Sequence, residues 1–246
     1  MSWIFIVTLL AQVLLIVHCI KTGRNTIWIW VLALLSFAGI IAYLAVEVIP
    51  ELLRSRTTQR TTRGVKKLLD PGADLRKYEN EARVTNNVAS RQKYADELTR
   101  QGRYQEAIQE YRQALTGLYE HDPNLMLGVA RAQFGNDNAT AARETLDELI
   151  RLNPDFRSPE GHLLYARALE TEGNFQKALE EYAVLAHSYP GAEAAVRYAQ
   201  LLNAQGQREE AQKVVSDLLE EARIAPAHYR KAQKSWLETA ERLQNS

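Results

Sequence analysis

Apolar residues follow two regimes along this chain. Residues 3–20 ("WIFIVTLLAQVLLIVHCI") and 27–46 ("IWIWVLALLSFAGIIAYLAV") are nearly unbroken apolar runs joined by "KTGRNT". Beyond residue 50, apolar positions recur three and four apart among charged ones, the pattern of amphipathic helices. Each run is near the roughly twenty residues that span a bilayer as a helix. The short link suffices for a turn, with Gly23 and Asn25 as its natural residues. The pattern therefore predicts a transmembrane helical hairpin over residues 1–50. A cleaved secretory signal fits poorly, because no Lys or Arg precedes the first run and no small-x-small site follows it.

Charge gives the hairpin a direction. Lys21 and Arg24 in the turn face a larger cluster after the second run, Arg54, Arg56, Arg60, Arg63, Lys66 and Lys67, opposed only by Glu51. The positive-inside rule then predicts an integral inner-membrane protein with two spans and both termini cytoplasmic. The same six cations are candidate contacts for anionic lipid headgroups, although a topology signal alone accounts for them. Gln12 is suited to a hydrogen bond across the hairpin, near the small residues Ala38, Gly39 and Ala42. His18 and Glu47 lie close enough to the run ends to reach water. The stretch "LLIVHCIKTGRNTIWIWVLALLSFAGIIAYL", with its basic turn, Trp-rich entry, Gly39 and Tyr43, resembles the N-terminal membrane module of bacterial cardiolipin synthases and related phospholipase D-like proteins. The catalytic part of that family is absent, since none of the five histidines has a Lys two positions on.

The remainder repeats. Ala95, Ala130, Ala166 and Ala199 recur at intervals of 35, 36 and 33. The same offsets carry Tyr94, Val129, Tyr165 and Tyr198; Ala107, Ala142, Ala178 and Ala211; and Tyr111, Leu146, Tyr182 and Val215. In "GHLLYARALETEGNFQKALEEYAVLAHSYP", residues 161–190, an apolar helical face breaks at Gly173 and Asn174, resumes with Phe175, Ala178, Leu179 and Tyr182, and ends at Pro190. Each unit reads as two antiparallel helices, with alanine where the pair approaches closely. A unit of this size cannot bury its own apolar face, so several must stack.

These units look like tetratricopeptide repeats. In the third, Ala166, Gly173, Ala178, Tyr182 and Pro190 occupy the family's marked positions. The second departs most, with Asp137 at the turn glycine and Leu146 at the aromatic. The resemblance covers about residues 88–223. The sequence thus predicts an all-α protein: the hairpin at 1–50, a basic juxtamembrane linker and short helix at 51–87, and an α-solenoid of about four helix pairs with a C-terminal capping helix at 88–246. In that cap, Tyr229, Ala232, Trp236, Leu237, Ala240 and Leu243 share a face, with Trp236 read chiefly as core. The resemblance implies a concave wall lined by the first helix of each pair. Its candidate peptide-binding residues are Lys93, Leu127, Arg131, Phe134, Leu163, Arg167, Arg197, Gln200 and Asn203, with Asp96 and Val196 also inward. Arg131 and Arg167 fall at equivalent positions of adjacent units. A row of arginines with apolar flanks suits an acidic or C-terminal peptide, because guanidinium pairs with carboxylate through two bonds. The bland reading is a solvated face with local ion pairs to Glu160 or Glu170.

Composition argues against other classes. Lys and Arg number 30 against 30 Asp and Glu, so no global field favours nucleic acid. Cys19 is the sole cysteine, which leaves no intrachain disulfide or cysteine metal cluster. No phosphate loop, His-x-x-x-His pair or nucleophile with a base is present, so neither an enzyme nor a cofactor is expected. The expectation is a non-enzymatic, membrane-anchored adaptor that recruits a protein or peptide, in an envelope-assembly setting. The alternatives are a self-associating structural protein and a regulator that binds anionic lipid through the linker.

Overall fold

The structure is a computed structural model that describes residues 2–21, 25, 27–34, 36–44, 46, 70 and 72–245. The chain divides into two units, Met1–Ala73 and Asp74–Ser246. In the first, α1 (Ser2–Lys21), α2 (Ile27–Leu34) and α3 (Ser36–Tyr43) pack together with Cys19, Leu32 and Tyr43 at the centre. Gln12 donates its side-chain amide to the Leu32 carbonyl at 2.7 Å, a bond from α1 to α2. His18 stays exposed, as its position near the run end suggests, and also places Nδ1 3.1 Å from the Tyr43 hydroxyl. The Trp28 ring meets Tyr43 edge-on with centroids 5.5 Å apart.

The two-span reading needs correction. Among the described residues no helix is long and apolar enough to cross a membrane. In α1 the described side chains include the polar Gln12, His18 and Lys21. An inner-membrane location with cytoplasmic termini therefore does not stand. The cations on which the orientation rested, Arg54, Arg56, Arg60, Arg63, Lys66 and Lys67, lie outside the described residues, as does Glu47.

The second unit begins with α4 (Ala73–Thr85) and continues as four helix pairs: α5 (Val88–Arg100) with α6 (Tyr104–Ala114), α7 (Pro123–Gly135) with α8 (Ala139–Leu152), α9 (Pro159–Thr171) with α10 (Phe175–Ser188), and α11 (Glu193–Ala204) with α12 (Arg208–Ile224). The short α13 (Ala227–Ala232) leads to α14 (Lys234–Gln244), which packs on α11 and α12 and buries Leu237 and Ala240. The second helices of the first three pairs also pack on the first helix of the next pair, and three core clusters follow one another along the array, bridged by the half-buried Leu115, Leu179 and Tyr198. All eight column alanines, from Ala95 to Ala211, are at most 1% exposed. The aromatic column is buried throughout, including Leu146 and Val215 where the ring is replaced.

The tight turns have one geometry. Gly102, Gly173 and Gly206 have φ of 75°, 81° and 81°, and Asp137 occupies the same left-handed region at 57°. Following them, the amides of Arg103, Asn138, Asn174 and Gln207 donate to the carbonyls of Leu98, Gln133, Leu169 and Leu202 at 2.9–3.0 Å. These six-to-one bonds form the Schellman closure, which wants a left-handed residue just past the helix end. Helix starts are equally explicit. Asn87 and Ser90 form a capping box, while Asp122 and Ser158 cap α7 and α9 ahead of prolines at the first helical position. In the second pair Gln133 replaces the leucine found at this turn position in the others, and its buried amide oxygen accepts from the Thr145 hydroxyl at 2.8 Å.

Candidate protein-interaction surface

Helix periodicity places Arg131 of α7, Arg167 of α9 and Arg197 of α11 along successive first helices, and the structure links two of them into a continuous ribbon. The Arg167 guanidinium lies 4.8 Å from the centre of the Phe134 ring. Arg167 Nη1 is 4.0 Å from Glu193 Oε1, and the same oxygen accepts from Arg197 Nε at 2.8 Å. Arg197 in turn stacks 5.3 Å from the Trp236 ring of α14. The order is therefore ring, cation, carboxylate, cation, ring, across three helix pairs' first helices and the cap.

The electrostatics of the ribbon are uneven. Burial first, and then the neighbouring Arg197, hold the Arg167 guanidinium below the usual arginine range, while Glu193 pulls the other way. One carboxylate thus serves two cations. Nearby, Tyr182 donates its hydroxyl to Glu170 at 2.6 Å, so that carboxylate is already engaged. Burial, reinforced by Glu170, pushes the Tyr182 phenol well above its usual range. The ion pairs expected with Glu160 or Glu170 are thus replaced by a shared pair with Glu193. Arg131 is exposed and has no ion-pair partner among the described residues. It lines a groove of about 330 Å³ with Gln92, Asp96, Asn124, Gly128 and Arg157. Asp96 there accepts from the Tyr111 hydroxyl at 2.5 Å.

The other candidates separate. Leu127 and Leu163 are 5% and 4% exposed and belong to the core between pairs, as does the fully buried Val196. Lys93 turns to the preceding helix and pairs with Glu81 at 3.0 Å, away from the arginine row. Gln200 is exposed and Asn203 half-buried, both on α11, without a contact that joins them to the ribbon. One contributor escaped the sequence pattern, and the sequence admits a second, Trp236, as a partner anchor only beside its core reading. Glu193 sits in the first turn of α11, where an acidic residue reads as an ordinary dipole partner. Trp236, read chiefly as core, is half-buried and packs against the last core cluster while offering its face to Arg197.

Comparison with known proteins agrees with this architecture. Residues 98–168 match the tetratricopeptide repeat family. No curated protein matches the chain. A crystal structure of MamA is 21% identical, with 68% of this chain and 94% of that one covered and a TM-score of 0.53. A thermophilic tetratricopeptide-repeat protein of Thermus thermophilus is 18% identical over 72% of this chain and 96% of its own, with a TM-score of 0.50. At these identities the likeness is one of fold. Nothing in these comparisons supports the likeness of the N-terminal segment to cardiolipin synthase modules. The helix pairs of the second unit thus have the fold of a tetratricopeptide-repeat array, and residues 98–168 match that family's sequence.

Proposed function

We propose that the first-helix face of the array recruits a protein partner through an acidic segment or a C-terminal carboxylate. Tetratricopeptide-repeat proteins generally act as scaffolds for protein–protein interaction. The observation that carries the specific reading is the charge arrangement on that face. Arg167 and Arg197 share Glu193, and Arg131 is uncommitted one pair away. The rings of Phe134 and Trp236 lie 4.8 and 5.3 Å from the Arg167 and Arg197 guanidiniums, contacts that reduce the side-chain freedom to be lost when a carboxylate arrives. A partner carboxylate can take the open guanidinium edges, and the grooves beside Arg131 and beside Trp236 can accept its flanking side chains.

Charge reversal tests this reading. Arg131→Glu changes an exposed side chain and leaves the core intact. Removing a charge-assisted pair worth about 1.5–3 kcal/mol should weaken partner capture by roughly 10- to 100-fold. Arg167→Gln should weaken it as well, while Lys93→Glu should not. Capture from native extracts that is unchanged by both arginine substitutions, in variants with wild-type helicity, would overturn the proposal.

A further inference from the structure

A second concavity lies among the second helices. Between α8 and α10, over the start of α9, a cavity of about 570 Å³ opens to solvent. That volume falls within the roughly 300–1,000 Å³ typical of small-molecule sites. Leu146, Leu149, Phe156 and Leu185 supply apolar lining, and Ile150 stands at the mouth with 55% of its surface exposed. Residues 153–159, with Pro154 and Pro159, line it on the side of the α8–α9 connection, and toward the start of α10 Lys177 donates to the Tyr165 hydroxyl at 2.9 Å.

Its charges are distributed unequally. Glu181 Oε2 lies 2.7 Å from His162 Nε2, and Asp147 is held by Arg143 at 2.5 Å, so both wall carboxylates are engaged. Lys177 feels those two carboxylates as well as Tyr165. Arg157, at the opposite end, is exposed and bonds only through Nη1, to the carbonyls of Pro154 at 2.6 Å and Phe156 at 3.2 Å. It has no ion-pair partner among the described residues, which leaves Nε and Nη2 for an anion. An apolar trough with one uncompensated guanidinium at its end matches an apolar body with one anionic head.

We propose that this cavity binds a small amphipathic organic anion, its apolar chain lying on Leu146, Leu149, Phe156 and Leu185 and its carboxylate on Arg157. The site shares none of the ribbon's arginines, but Arg157 and Phe156 also line the groove beside Arg131; Ile150→Glu, which touches only this cavity, and Arg131→Glu, which touches only the partner surface, tell failure of one from failure of the other. Octanoate is a suitable probe and 1-octanol the uncharged control, each titrated by calorimetry into the full chain, with amide shifts read in parallel. Octanoate should bind saturably and shift residues around 146–165 and 177–188. Arg157→Gln should weaken octanoate about tenfold, the loss of one charge-assisted contact, and leave 1-octanol unchanged, while Arg157→Lys should restore part of the difference. Ile150→Glu, at an exposed mouth position, should weaken both probes with helicity retained. No saturable octanoate binding at millimolar concentration overturns the proposal. So does octanoate affinity unaltered in both Arg157→Gln and Ile150→Glu, or an equal loss of both probes in Arg157→Gln.

Discussion

Replacing Gly128 by alanine sets a methyl carbon against the ring of Tyr111. An ideal Cβ at this position lies 2.5 Å from Cε1, 2.6 Å from Cζ and 3.0 Å from Cδ1 of that ring. Ordinary carbon contacts sit at about 3.5–4.0 Å, so one partner has to move by roughly 1 Å. The ring has little room to yield. Tyr111 is 2% exposed, and its hydroxyl is fixed to Asp96 at 2.5 Å. Overpacking of this kind costs about 1–3 kcal/mol, against a helix-propensity gain of up to about 1 kcal/mol for alanine over glycine. The net expectation is destabilisation by about 1–2 kcal/mol. Urea unfolding followed by circular dichroism should show a midpoint lowered by roughly 0.5–1 M if the slope is about 2 kcal/mol per molar. Tyr111→Leu supplies the control, since leucine is what the second pair carries at this position as Leu146. The Gly128→Ala/Tyr111→Leu double variant should be more stable than the sum of the single effects implies, by about 1 kcal/mol. An unchanged or raised midpoint for Gly128→Ala, or strict additivity in the double variant, would refute the claim that the ring excludes a side chain here.

The turns and the buried phenols give further tests. A Cβ on Gly173 would meet nothing within 4 Å, so Gly173→Ala isolates the left-handed backbone cost of about 1–2 kcal/mol, which a lowered thermal midpoint should report. Asp137→Gly should be the mild converse, neutral to stabilising by up to about 1 kcal/mol, because relief at φ 57° is offset by the freer unfolded chain. Tyr111 and Tyr182 both ionise above their usual value of 10.0, chiefly through burial and then through Asp96 and Glu170 respectively. A raised phenol favours the folded state fully below the unfolded value and loses that contribution as pH rises beyond it. Stability should therefore fall above about pH 10, and Tyr182→Phe should flatten part of that alkaline limb in urea titrations at stepped pH.

Much of the array was legible because its determinants are local. Alanine at a fixed offset reports a close helix approach wherever it recurs, and Ala95, Ala130, Ala166 and Ala199 are all fully buried. The turn column was equally readable, down to the exception, since Asp137 takes the conformation its glycine counterparts take. The candidate surface was legible only in outline. Arg167 and Arg197 were found by equivalence and spacing, but their shared partner was not, because Glu193 reaches Arg167 only after two pairs have stacked. Lys93 was misplaced because its rotamer follows Glu81 on α4, outside the repeat register. Leu127 and Leu163 were given to the wall although they complete the core. At the N-terminus, run length pointed to two spans, while no described helix meets that demand.

The period, the helix pairs, the alanine contacts and the turn chemistry are written in the chain, because each depends on neighbours a few residues away or on one repeated register. The tertiary structure alone decided which cations are spent and which remain open. Arg167 and Arg197 converge on Glu193, Trp236 returns from the cap to cover Arg197, and Arg131 and Arg157 pair with no carboxylate among the described residues. The trough between α8 and α10 is likewise a product of stacking. Its walls come from helices and a connecting segment that only the folded array brings together, and the bonds that engage its carboxylates set the charge it presents.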